Sequence, residues 1–301
     1  MQRVSYFGPA GTFTEAACRQ LVDPATTEFV PAATPPATLQ LVRDGAVDAA
    51  CVPVENSVEG TVPPTLDALA TGARLQIVAE TELPIAFSVL VRAGTEAADI
   101  QTVRTHPHAA AQVRGWLRQH LPHAQVQAGS STAAAANDVL EGTADAAVAT
   151  ALVGRRLGLR ALAEDVADVP DARTRFVLVR RPCPPPTRTG NDRTSVVLSL
   201  ANTPGALVQA MTEFAIRGID LTRIESRPTR TALGTYRFYL DCVGHVEDQA
   251  VAEALAALHR RCTELRFLGS WPAASPEAGS APPAPGDAAQ WVDDIKRGAW
   301  Q

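Results

Sequence analysis

The 301-residue sequence has little that would tie it to a metal, a membrane or a nucleic acid. Its five cysteines, Cys18, Cys51, Cys183, Cys242 and Cys262, are odd in number and widely dispersed. None forms the CxxC pair that zinc binding or dithiol redox chemistry uses, so they read as isolated thiols. No run of about 18 apolar residues is available to span a bilayer. The start, Met1-Gln2-Arg3-Val4-Ser5-Tyr6, lacks a signal-peptide apolar region, and a cytoplasmic location is expected. Net charge is −5 with no Lys/Arg-rich run, which disfavours nucleic acid and acidic membrane surfaces as partners. Gly8-x-x-Gly11 is neither GxGxxG nor a P-loop, and no GKS or GKT follows, so a nucleotide is disfavoured as well. His106 and His108 have no Cys, Glu or third His near them in sequence, and no metal is expected.

What is present is enough apolar material, 46% of the residues, for a large core, and a length that favours about two domains. Pro182-Cys183-Pro184-Pro185-Pro186 and the polar stretch to Arg193 cannot continue a helix or a central strand, and mark the main boundary. The expected organisation is therefore residues 1–181, a linker at 182–193, a small domain at 194–271, and a tail at 272–301. The tail is rich in Pro, Ala, Ser and Gly, a composition that buries little, and it is expected to be mobile. A short helix is expected from Ala288, with Trp291, Ile295 and Trp300 as docking contacts.

The first region carries an internal repeat. Asp44-Gly45-Ala46-Val47-Asp48-Ala49-Ala50 matches Glu141-Gly142-Thr143-Ala144-Asp145-Ala146-Ala147 at an offset of 97. A helix end, a Gly turn and a buried strand require this pattern, and its recurrence implies two α/β lobes facing a cleft. Four segments read as a strand entering a helix through hydroxyl or Gly residues: Gly8 to Thr14, Glu55 to Thr61, Thr105 to His108, and Gly129 to Thr132. Helix N-termini present unpaired amides and about half a positive charge, so several converging on one cleft would bind a multiply charged anion with few Lys or Arg. A small carboxylate is the implied ligand.

After the linker the periodicity reads βαββαβ, the ferredoxin-like order. Thr194 to Leu200 alternates as a strand. Thr203-Pro204 caps a helix with Leu207, Met211, Phe214 and Ala215 at helical spacing. Leu221 to Pro228 and Thr235 to Val243 are strands around a turn near Ala232 to Gly234, Glu247 to Arg261 is a second helix, and Thr263 to Gly269 closes the unit.

Two sets of motifs carry a family resemblance. Gly205-Ala206-Leu207-Val208 with Glu225-Ser226-Arg227-Pro228 resembles the paired signatures of the ACT regulatory domain of prephenate dehydratases, which implies phenylalanine binding by these eight residues at a subunit interface. The usual Asn of that stretch is Asp220 here. Thr174-Arg175-Phe176 is similar to the family's Thr-Arg-Phe motif, and Gly8 to Phe13, Pro53 to Ser57, His106-Pro107 and Ser131 to Ala136 match in the family's order. The Asn often found two residues before Thr174 is Ala172. The resemblance covers residues 1 to about 271 and implies a two-lobed, periplasmic-binding-protein-like α/β catalytic region followed by an α+β ACT domain.

It also implies a reaction: prephenate to phenylpyruvate, losing carbon dioxide and water, with no cofactor. Thr174 is the expected donor to the departing hydroxyl, and Arg175 the expected partner of the side-chain carboxylate. Thr12, Asn56, Ser57, Ser130 and Thr132 are candidate substrate contacts, Glu55 orients them, and Phe176 packs the cleft wall. A homo-oligomer, dimer or tetramer, sensing phenylalanine is expected. Two alternatives stay open on the sequence: a non-catalytic amino-acid sensor, and arogenate dehydratase.

Overall fold

The computed structural model describes residues 1–230, 234–276, 279–284, 286 and 288–299. The expected contact by Trp300 and most of the turn near Ala232 lie outside the described residues. Contacts divide the chain into one unit of Met1–Thr71 with Thr81–Arg181, and a second of Gly72–Glu80 with Pro182–Gln301.

The first unit opens with β1 (Gln2–Phe7), α1 (Phe13–Leu21), β2 (Thr27–Ala32), α2 (Pro35–Arg43), β3 (Ala49–Asn56), β4 (Gly60–Thr61) and α3 (Pro63–Ala70), and takes the end of β5 (Gln76–Pro84), whose residues 76–80 group with the second unit. A second lobe follows: β6 (Ser88–Val91), β7 (Thr102–Thr105), α4 (Pro107–Gln112), α5 (Arg114–His120), β8 (Gln125–Ala128), α6 (Thr132–Leu140), β9 (Ala146–Ala149), α7 (Ala151–Leu157) and β10 (Arg160–Ala163). Strand β11 (Arg173–Arg180) then returns to the first sheet. The sheet orders are β2-β1-β3-β11-β5, with β4 on β3, and β10-β6-β9-β7-β8. In each, three parallel strands meet one antiparallel return strand, β11 on β3 and β6 on β9.

The internal repeat is a repeat of structure. Asp44 and Glu141 are the C-caps of α2 and α6, and Gly45 and Gly142 follow at φ 72° and 79°, the left-handed turn that a Cβ would oppose. The repeated Asp has a job of its own. Asp48 Oδ2 accepts the Arg3 amide at 2.8 Å and Asp145 Oδ2 the Thr102 amide at 2.8 Å, so each carboxylate caps the start of the neighbouring parallel strand. The second lobe's cores are apolar: Val89, Val91, Val103 and Leu117 on one side, and Leu90, Ala136, Val139 and Ala147 on the other.

The second unit contains β12 (Asp192–Ser199), α8 (Ala206–Ala215), β13 (Leu221–Pro228), β14 (Tyr236–Val243), α9 (Gln249–Arg261) and β15 (Glu264–Pro272), then α10 (Ala288–Arg297). Its sheet order, β13-β14-β12-β15, is that of the βαββαβ reading. Alternate residues Val196, Leu198, Leu240 and Cys242 pack on Ala210, Phe214, Val251 and Leu258 of the two helices. One boundary differs from expectation. The cap of α8 is Gly205, in the left-handed region and without a side-chain cap, because Thr203-Pro204 lies in the preceding turn, where Ala206 N donates to Thr203 O.

Residues after β15 make specific contacts within this unit. Ala274 N donates to Glu80 Oε1 at 3.0 Å, Asn191 Nδ2 to Ser275 O at 3.2 Å, and Ser280 N to Asp220 Oδ2 at 2.5 Å. Trp291, Val292 and Ile295 of α10 are exposed. All five cysteines are unpaired, and burial first, with the Asp241 charge, pushes the Cys242 thiol up to about 12. Among the described residues no helix is long and apolar enough to cross a membrane.

Candidate active site

A cavity of about 570 Å³ lies in the first unit, walled by Phe7 to Pro9, Thr12 to Thr14, Pro53, Asn56, Glu59, Phe87, His106, His108, Gln112, Ser130 to Thr132, Thr174 and Phe176, among others. Both lobes contribute to it. The starts of α1, α4 and α6 all reach the wall, each capped by a side chain: Thr12 accepts Glu15 N, His106 Nδ1 accepts His108 N, and Ser131 accepts Ala134 N. The wall holds no Arg or Lys among the described residues. First-turn amides and hydroxyls are therefore among the groups available to an anion, beside the side chains of Asn56, His106, His108 and Gln112.

The remaining strand-to-helix entry is different. Strand β3 runs into a turn and pairs back through β4, Glu55 with Thr61 and Asn56 with Gly60, before α3 begins at Pro63. The cause is Asn56, whose Oδ1 accepts the amides of Val58 at 2.8 Å and Glu59 at 3.0 Å and closes the turn in place of a helix. That leaves Nδ2 of the same amide pointed at Thr174, to whose Oγ1 it donates at 2.8 Å. Strand β11 sets this meeting through the pair Thr174 with Asn56 in its register on β3.

Thr174 and Asn56, 118 positions apart, are thus brought together at the wall, with Phe176 beside them. Thr12, Ser130 and Thr132 are wall residues too. Ser57 is not among them. Its Oγ accepts Arg173 N at 2.9 Å, and its own amide donates to Arg173 O, stitching the turn to the start of β11. Arg175 and Glu55 are also absent from the wall, and Arg175 Nη2 meets Glu55 Oε2 at 2.9 Å. The guanidinium expected to meet a substrate carboxylate is thereby engaged by a neighbouring carboxylate on β3.

Several wall residues lay outside the substrate contacts drawn from the sequence, Glu59, His106, His108 and Gln112 among them. Glu59 accepts Gln112 Nε2 at 2.8 Å and faces His108 Nδ1 at 2.6 Å, while His106 packs on His108 with ring centroids 5.1 Å apart. Burial and the adjacent His108 hold the His106 imidazole below its ordinary value, against a smaller opposing pull from Glu59. The sequence signal was the spacing His106-x-His108-x-x-x-Gln112, which puts the last two on one face of a helix start.

In the second unit a separate cavity of about 120 Å³ is lined by Leu200 to Thr203, Ala206, Leu207, Gly234, Tyr236 and Phe238. Gly205 caps the helix entering it, and Val208 is 69% exposed. Glu225, Ser226, Arg227 and Pro228 lie on the edge strand β13 and do not line this cavity. Glu225 and Arg227 approach at 3.8 Å, whereas Ser226 and Pro228 are exposed.

Comparison with known proteins places the chain in a family. Residues 4–184 match the family model for prephenate dehydratase, and residues 194–260 that for the ACT domain. A prephenate dehydratase from Mycobacterium sp. (strain JLS) is 58% identical over 308 residues, 99% of this chain and 97% of the relative. The crystal structure of the Arthrobacter aurescens prephenate dehydratase in complex with L-Phe superposes with a TM-score of 0.91 at 46% identity, covering 98% of this chain and 99% of that one. A structure described as the quorum-quenching acylase GqqA gives a TM-score of 0.80 at 32% identity over 91% of this chain and 99% of that one. The two-lobed α/β region with its appended ACT domain and the full-length similarity agree, and the chain belongs to the prephenate dehydratase family of carbon–oxygen lyases.

Proposed function

We propose that this protein converts prephenate to phenylpyruvate in the cavity of the first unit, and that Thr174 assists departure of the ring hydroxyl. The observation that carries this reading is the Asn56 to Thr174 hydrogen bond. A hydroxyl has one donor and two acceptor positions. With Asn56 Nδ2 filling an acceptor position, and its Oδ1 pinned by two backbone amides so that the orientation is fixed, the Thr174 proton is left to donate into the cavity. In the reaction the bond between ring carbon and carboxyl group breaks and its electron pair enters the ring. The opposite carbon–oxygen bond then cleaves, and the hydroxide leaves as water with a proton delivered through the Thr174 hydroxyl. Assistance of this kind contributes about 10²- to 10⁴-fold.

The substrate carboxylates fall to the starts of α1 and α6, with Thr12, Ser130 and Thr132 as hydroxyl donors. Arg175 acts one step removed, by fixing Glu55 and hence the end of β3 that carries Asn56. This assignment replaces direct pairing of Arg175 with substrate. No cofactor enters the scheme, and the enzyme works in the cytoplasm. Turnover of prephenate and arogenate, separately and in competition, tests the substrate. Phenylpyruvate from prephenate, weakly inhibited by arogenate, supports the reading; product from arogenate alone would reassign the chain to arogenate dehydratase.

The catalytic region corresponds to residues 1–181, and the linker at 182–193 leads to a regulatory ACT domain at 194–271. Phenylalanine is the proposed effector, on the strength of the L-Phe in the Arthrobacter relative. Because Glu225 to Pro228 do not line the small cavity that Ala206 and Leu207 reach, the effector site is completed by a second copy in a homo-oligomer. Its signal reaches the lobes along the chain itself, through the linker and through β5, whose residues 76–80 group with the second unit.

A further inference from the structure

Glu15 does not line the cavity, yet its side chain is only 3% exposed and collects four donors. Oε2 accepts Gly11 N at 2.6 Å and Arg156 Nη1 at 2.7 Å, while Oε1 accepts Arg156 Nη2 at 3.0 Å and Arg19 Nε at 2.8 Å. Glu15 and Arg19 are one turn apart on α1, in the first lobe, whereas Arg156 belongs to α7, in the second. Burying a carboxylate is costly unless it is paired and fully hydrogen-bonded, and an Arg19 partner alone would have let Glu15 stay at the surface. The extra partners are a bidentate guanidinium from the other lobe and a loop amide.

The same glycine is held from its other side. Thr150, the N-cap of α7, donates from Oγ1 to Gly11 O at 3.1 Å while accepting Val153 N. Gly11 also lies so close to α7 that a Cβ on it would sit 2.8 Å from Val153 Cγ2. Both polar groups of Gly11 therefore lead to α7, one through Glu15 and Arg156, the other through Thr150. The loop they fix supplies Gly8 and Pro9 to the cavity wall, and the next residue, Thr12, caps α1 and lines the wall as well.

We infer that Glu15 is a positioning residue for the dehydratase reaction: through Arg156 it clamps the 8–12 loop across the two lobes, so that Thr12 and the first-turn amides of α1 face the substrate carboxylate. The role in turnover rests on the function proposed above; the clamp itself does not. Two readouts keep them apart. Hydrogen exchange of the peptide containing Gly11 reports the clamp, and steady-state kinetics with prephenate reports its use.

For Glu15→Gln, exchange at Gly11 accelerates by at least about tenfold with the rest of the first lobe near wild type. KM rises at least about tenfold and kcat changes less than about threefold, the signature of lost binding shared by ground and transition states. Arg156→Gln does the same, and the double variant is no worse than Glu15→Gln, because both act through one carboxylate. Should Glu15→Gln fail to fold, Thr150→Val loosens the same residue without disturbing the buried charge, and Thr150→Ser restores wild-type values. Unchanged exchange at Gly11 in Glu15→Gln or Thr150→Val overturns the clamp whatever the substrate is. Faster exchange with an unchanged KM, in an enzyme that does turn over prephenate, overturns its role in positioning. A wild type that leaves prephenate untouched refutes the functional reading instead, and the exchange data still decide the clamp.

Discussion

At the scale of single residues, the site depends on which hydrogen-bonding positions are already taken. Thr174→Ala removes the hydroxyl and leaves Asn56 Nδ2 to water, so kcat should fall at least about tenfold with the fold and effector binding nearly intact. Thr174→Ser, which keeps the hydroxyl, should retain most of the rate. Steady-state turnover of the two variants measures this. Glu15 supplies a stability test. Burial alone would raise its pKa, but the hydrogen bonds from Arg156, Gly11 N and Arg19 outweigh that and bring it from 4.5 to about 2. A carboxylate depressed on folding stabilises the protein fully above its unfolded value, and that contribution is lost as pH falls from about 4.5 toward 2. It amounts to about 3 kcal/mol at neutral pH. Thermal unfolding of wild type should therefore drop more steeply through this window than that of Glu15→Gln. Motif identity made Thr174, Asn56, Thr12, Ser130 and Thr132 legible in the sequence as a set. The engagement of Arg175 by Glu55 was not legible, because two residues 120 positions apart meet only once β11 is registered on β3.

Elements were more legible than contacts. The helix entries at Thr12, His106 and Ser131 follow from capping chemistry that is local in sequence, and all three reach the cavity. The entry at Glu55 to Thr61 became a hairpin because one Asn side chain captured two amides, a choice that composition does not reveal. The repeat at offset 97 was readable since a helix end, a Gly turn and a strand-capping Asp must occur in fixed order. The Gly72–Glu80 segment left no such local mark. Its place in the second unit depends on Gly269 of β15, at φ 141°, where a Cβ would lie 2.2 Å from Ile77 O. Gly269→Ala should lower stability by about 2–4 kcal/mol, read as a fall in the thermal midpoint, since the clash is with backbone that has little room to yield. A midpoint within the error of wild type would show that the segment moves freely from β15.

For the whole molecule, the chain crosses between the two units at 71/72, 80/81 and 181/182, so the Pro-rich linker is one of three covalent routes. The buried charges of the second unit lie along one of them. Glu80 Oε1 is 3.8 Å from Arg193 Nη2, Arg193 Nη1 is 3.9 Å from Asp241 Oδ2, and Asp241 is bidentate to Arg223 at 2.7 and 2.8 Å. If phenylalanine binding and catalysis are coupled, linkage requires that a substrate analogue change phenylalanine affinity by the same factor that phenylalanine changes affinity for the analogue. Calorimetry should show unequal phenylalanine affinities with and without the analogue; identical values would exclude equilibrium coupling. The βαββαβ order after the linker was legible from periodicity, since each strand and helix there carries its own local apolar pattern. The proposed completion of an effector site by a second copy would rest on a pairing of chains, and the geometry of such a pairing is not local to any segment of the sequence. The central claim is that the helix-capped cavity, with Thr174 primed by Asn56, dehydrates and decarboxylates prephenate. It is tested most directly by phenylpyruvate formation from prephenate with wild type and Thr174→Ala measured side by side. Wild type should form phenylpyruvate steadily and the variant at least about tenfold more slowly; equal rates in the two proteins would remove Thr174 from the reaction, and no phenylpyruvate from wild type would refute the activity itself.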